Sequence, residues 1–173
     1  MLFVPWRYIA DWKCIACGEC CKAYSVVLNF QEWLKIVGNY GIEKTVSDVN
    51  KLFIKRSNDG SCAFLCNLFD MHLCGLQHIK PKACKLWPFK VLSKPEFGYI
   101  NEAVYNYGGN ELFVYADSTC RGLRYGNPTW DFVGQTLREF VEIASGLRTQ
   151  QCKSTGNPVF TQPHTQLKRF RIS

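Results

Sequence analysis

Four cysteines fall within eight residues, in the run CIACGECC from Cys14 to Cys21. Thiols at this density oxidise unless something holds them, so the run must be a disulfide knot or a metal site. Chain size argues against the knot. With 173 residues, 47% of them hydrophobic, the chain can bury a core without covalent staples. The opening MLFVPWRYIADWKC is broken by Pro5, Arg7, Asp11 and Lys13, so it does not read as a signal peptide. No stretch of about 18 apolar residues offers a membrane span. The expected setting is therefore cytoplasmic, where thiols stay reduced and a set of ten cysteines points to metal.

Spacing sharpens the metal reading. Cys14, Cys17 and Cys20 follow one another every third residue, which lets one loop wrap three sulfurs around a corner of a 4Fe–4S cluster. Zinc sites more often combine two distant pairs. Gly18 suits either, because a turn that folds amides toward sulfur often needs a positive φ. Cys21 complicates both. Adjacent side chains point in different directions, so Cys21 is a ligand of a second metal, a spare thiol or a reactive one. A second group follows: Cys62, Cys66, Cys74 and Cys84, with Pro81 and Pro88 stiffening the chain around Cys84. Cys120 lies in a loop with Gly122 and Gly126.

The run CIACGECC, then CAFL from Cys62, then Cys74, then KPKACKLWPF around Cys84, resembles the CxxCxxCC family of zinc- or iron-chelating proteins, also called the YkgJ family. Its eight-cysteine pattern falls here on Cys14, Cys17, Cys20, Cys21, Cys62, Cys74, Cys84 and Cys120, within residues 14–126. The chain departs from the pattern at Lys80 and Lys85, where the family usually has arginine, and in carrying the additional Cys66. The resemblance implies metal chelation by those eight cysteines. Similar clusters occur in flagellin lysine methylases, which raises a lysine methylase-like enzyme as a further reading. No glycine-rich strand–loop–helix for S-adenosylmethionine is visible here.

The remaining candidates read more plainly. Cys152 is expected to be a free thiol, and Cys66 a spare or substitute ligand. His72 and His78 flank Cys74 and are secondary ligand candidates, while His164 is expected to be solvated. Lys80, Lys82, Lys85 and Lys90 surround Cys84 and are expected to offset thiolate charge. The formal charge of +7 falls once cysteines bind metal as thiolates, so nucleic acid is an improbable partner. The expected partner is an unidentified protein or redox partner. No Ser-His-Asp set, carboxylate pair or phosphate loop stands out.

The expected fold is a small α+β domain over residues 1–150, with metal-bound irregular loops, short hairpins and two helices, followed by a polar basic tail over 151–173 that includes LKRFRI. The two helices are FQEWLKIV, capped by Asn29 and Glu32 with Phe30, Trp33, Leu34 and Val37 on one face, and the segment from Thr129 to Leu147. Hairpins are expected at Asp59-Gly60 and at GGN (108–110). Residues 62–89 are expected to be irregular with a turn of helix, and STCRGLRYGNP a loop. Functionally, the triple spacing favours a 4Fe–4S cluster held at one corner by Cys14, Cys17 and Cys20, with a fourth ligand from the second group, serving electron transfer, redox sensing or a cluster-dependent reaction. Structural zinc in an interaction module is the alternative.

Overall fold

The structure, a computed structural model, describes residues 2–69 and 71–154. The aromatic N-terminus is extended, as β1 (Phe3–Pro5) and β2 (Ile9–Trp12) on either side of a 3-10 turn. The short helix α1 (Glu19–Ala23) follows the first cysteines, and β3 (Val27–Leu28) leads into α2 (Phe30–Tyr40). The α2 start is a capping box. The Asn29 side chain accepts from Glu32 N–H at 2.9 Å, and the Glu32 carboxylate accepts from Asn29 N–H at 3.0 Å. Next come β4 (Thr45–Asp48), β5 (Lys51–Ile54), β6 (Leu65–Leu68), β7 (Met71–Cys74) and α3 (Lys82–Leu86). The chain continues through β8 (Phe89–Leu92), α4 (Ile100–Ala103), β9 (Val104–Tyr107), β10 (Asn110–Asp117) and β11 (Leu123–Tyr125). A π-helical stretch, Phe132–Leu137, then runs into α5 (Arg138–Ala144).

Among the described residues the strands form four small antiparallel sheets. The largest centres on β10, which pairs with β1, β8 and β9; β2 pairs with β11, β5 lies between β3 and β4, and β6 pairs with β7. The class is α+β, as expected, and the GGN hairpin is the β9–β10 turn. At Asp59-Gly60 a tight turn forms, but only one isolated bridge, Arg56 to Cys62, closes it. Residues 62–89 hold the expected turn of helix as α3, and are more regular than expected in also forming the β6–β7 hairpin. The expected loop after Ser118 contains β11, because Leu123 and Arg124 find partners in Trp12 and Asp11, more than a hundred residues earlier.

Two apolar cores dominate. The first packs Trp6, Ile9 and Trp12 with Phe89, Val114, Phe132, Leu137 and Phe140, where β2, β8 and β10 meet the long C-terminal helix. The second lies beneath α2 and joins Leu28, Ile36, Ile54, Cys62, Phe64 and Leu76. The α2 face differs from expectation. Ile36 is fully buried, with Trp33 and Tyr40 packed beside it, whereas Phe30 and Leu34 are exposed. Helical spacing supports both stripes, and the positions of β5 and of Phe64 select the one containing Ile36. Residues 151–154 are tied to the domain: Glu139, almost fully buried, accepts from the N–H groups of Cys152 and Lys153 at 2.8 and 2.9 Å. The rest of the expected tail, with His164 and LKRFRI, lies outside the described residues. Among those described, no helix is long and apolar enough to cross a membrane.

Candidate metal centre

All eight motif cysteines line a single cavity of about 550 Å³, whose walls come from both cores. Each arrives by a definable local route. Cys14 and Cys17 lie in the loop that leaves β2. Gly18 then turns the chain into α1, which carries Cys20 and Cys21. Its φ of +75° fits glycine, and a Cβ there would stand 2.8 Å from the His72 Cβ. Cys62 is set by its N–H, which donates to the Cys21 carbonyl at 2.8 Å. Cys74 closes β7, and Cys84 sits within α3. Cys120 precedes β11 in a tight passage where Lys13 N–H donates to the Gly122 carbonyl at 3.1 Å. A Cβ on Gly122 would overlap the Lys13 carbonyl.

None of the ten cysteines, all of them described, is in a disulfide. The sulfurs of Cys20 and Cys21 stand 3.9 Å apart. The Cys21 S–H is shared between Cys20 and Cys62, and these hydrogen bonds bring both acceptors down to about 7. The donor, Cys21, is pushed up by the same bonds. Burial raises Cys14, Cys74, Cys84 and Cys120. Positive charge works the other way. Lys80 lowers Cys14, Cys20, Cys74 and Cys84, and Arg56 lowers Cys62.

Of the four lysines near Cys84, Lys80 is thus the one that acts on the thiols. Lys82 and Lys85 donate to the carbonyls of Ala144 and Thr149, and the Lys90 ammonium lies over the Phe3 and Phe97 rings. His72 lines the cavity, with Nδ1 2.7 Å from Asn67 Oδ1, whereas His78 stands outside it near the Tyr40 hydroxyl. Cys66 and Cys152 are exposed and do not line the cavity.

Three contributors were invisible in the sequence. The Trp12 indole N–H donates to Cys120 Sγ at 3.3 Å. The Arg56 guanidinium donates to the Tyr24 carbonyl at 2.6 Å and to the Lys22 carbonyl, capping the C-terminal end of α1. Gln151 lines the cavity with a buried Oε1 that has no hydrogen-bond partner, while its Nε2 donates to the Lys85 carbonyl at 2.7 Å. All three arise from contacts between distant segments, which local spacing does not report.

The donor set suits a soft or borderline metal. Eight thiols on a largely apolar wall, with Lys80 as the cation that acts on them, match zinc or iron–sulfur chemistry better than an oxygen-seeking cation. Among the described residues, no three His, Cys, Asp or Glu side chains yet stand close enough to hold an ion. Binding a metal there requires the thiols to give up their protons. Residues 13–121 match the profile of the CxxCxxCC domain, described as a putative zinc- or iron-chelating domain. Searches of curated proteins and of solved structures return no match.

Proposed function

Because the chain belongs to the CxxCxxCC family of zinc- or iron-chelating domains, we propose that the cysteine-lined cavity holds an iron–sulfur cluster of the 4Fe–4S type. The observation that carries this is the loop Cys14, Cys17, Cys20, which presents three regularly spaced thiols to a cavity of about 550 Å³, far larger than one zinc ion needs. A cluster held there would accept and release single electrons. The chain's own groups suit that task. Lys80 offsets thiolate charge, the Trp12 N–H bonds to Cys120 Sγ, and apolar side chains from two cores limit water. The protein would serve electron transfer, redox sensing or a cluster-dependent reaction in the cytoplasm, with a protein redox partner. The test is anaerobic purification followed by iron and sulfide analysis and a visible spectrum. A brown protein with iron and sulfide in equal amounts is expected. A colourless protein with stoichiometric zinc would instead support a structural zinc module, a reading favoured by the simple count of eight thiols.

A further inference from the structure

We propose that the eight cysteines divide at the Cys20–Cys21 pair into two four-sulfur sets, each holding its own metal centre: Cys14, Cys17, Cys20 and Cys120 in one, Cys21, Cys62, Cys74 and Cys84 in the other. The proposal rests on the reading of the cavity as a metal site and says how its sulfurs are shared.

The two cores make the division. Cys14 and Cys120 pack against the first, beside Trp12 and Phe89; Cys62 belongs to the second, with Cys21 and Cys74 packed on it. Backbone pairing ties together part of each group. Leu123 pairs with Trp12 in an antiparallel ladder, so Cys14 leaves β2 at the same end at which Cys120 leads into β11. The Lys13–Gly122 hydrogen bond and the Trp12–Cys120 contact lock that junction. On the other side, Cys62 N–H donates to the Cys21 carbonyl, Gly75 N–H donates to the Phe64 carbonyl at 2.8 Å, and Leu65 pairs with Cys74. Cys21, Cys62 and Cys74 are thereby laced into one unit, and the His72 N–H, which donates to the Ala16 carbonyl at 2.8 Å, joins that unit to the Cys14–Cys17 loop.

The adjacent pair forms the seam. Cys20 and Cys21 both lie in α1, where successive side chains diverge by about 100°. Their sulfurs nevertheless stand 3.9 Å apart, which places the pair where the two sets touch. The electrostatic neighbours agree. The thiol with the largest influence on Cys84 is Cys74, and on Cys120 it is Cys17. Cys20 also reaches both groups, as a residue at the boundary must. The fourth partner of the Cys14–Cys17–Cys20 loop is then Cys120, and not a member of the Cys62–Cys84 group as its spacing alone suggested.

Metal and sulfide per chain, measured on the anaerobically purified full chain, test the division in Cys120→Ser and Cys62→Ser. Cys120→Ser is expected to lose the iron, sulfide and visible absorption and to keep the second metal. Cys62→Ser is expected to keep the visible spectrum and lose the second metal. Loss of all metal in both variants from a wild type holding one centre would overturn the proposal, as would full retention in Cys120→Ser. Cadmium-113 NMR of the cadmium-reconstituted wild type needs no variant to fold. Two four-thiolate resonances are expected, and a single one would overturn the division. The underlying reading fails separately: a wild type with two zinc ions and no iron, falling to one in each variant, removes the cluster and leaves the two sets standing.

Discussion

Trp12 and Lys80 act on the sulfurs by different physics, and the difference can be measured. The Trp12 N–H is a single directional donor to Cys120 Sγ. Lys80 has no bond to any sulfur but carries the charge that four thiols feel. In the proposed cluster, reduction adds negative charge, so both groups would stabilise its reduced state. Trp12→Phe should lower the midpoint potential by roughly 20–60 mV, the equivalent of one net hydrogen bond. Lys80→Met should lower it as well, and its shift should shrink with added salt while that of Trp12→Phe does not. Protein-film voltammetry at two ionic strengths separates them. The thiols also set a pH dependence. Metal replaces protons, and Cys14, Cys21, Cys74, Cys84 and Cys120 are held protonated above the ordinary thiol value of 9.0. Affinity for cobalt or zinc should therefore fall as pH falls, about tenfold per pH unit for each proton displaced. The slope should steepen below about 7, where Cys20 and Cys62 also take up protons. A metal titration of the metal-free protein across neutral pH reads this directly, and a pH-independent affinity would contradict the thiol assignment.

At the scale of elements, Glu32 joins two helices. One carboxylate oxygen accepts from Asn29 N–H in the α2 capping box, and the other accepts from Lys82 N–H at 2.6 Å, at the start of α3. Since α3 carries Cys84, a capping residue of one helix fixes the position of a candidate ligand in another. Asn29→Ala should cost about 1 kcal/mol, the usual worth of a cap. Glu32→Ala should cost about 2 kcal/mol and also reduce metal content, because α3 loses its anchor. Denaturant midpoints and metal analysis of the two variants distinguish a cap from a coupling. The pair Asn29 and Glu32 was legible because a capping box is written within four residues, and the GGN hairpin was legible for the same reason. The β2–β11 ladder was not, because Leu123 and Trp12 carry no mark of each other. Nor was the buried stripe of α2, since Phe30 and Leu34 match helical spacing as well as Ile36 does. The eight cysteines could be named from their motif, but their shared cavity depends on two cores that no local window contains.

For the molecule as a whole, every strand pairing among the described residues is antiparallel. Among those residues there is thus no parallel β–helix–β unit of the kind that presents a glycine-rich turn to S-adenosylmethionine. What the fold does provide is a pair of cores of unequal size with the sulfurs between them. The first buries eleven residues and includes the central strand β10 and the C-terminal helix, whereas the second buries six, one of them Cys62 itself. A structural metal contributes on the order of 10–16 kcal/mol, comparable with the whole stability of a domain. Removing it should therefore not act evenly. The larger core has apolar area enough to persist, while the smaller one depends on Cys21, Cys62 and Cys74 being drawn together. Anaerobic chelation should release α2 and the β3–β5–β4 sheet first and leave β8, β10 and α5 protected. Amide hydrogen exchange resolves the two, since amides of α2 should lose protection while those of β10 keep it. Equal loss across both cores would mean that the metal holds the fold as one cooperative unit. Unchanged protection in α2 would mean that the smaller core stands without it, and that the sulfurs are presented for chemistry alone.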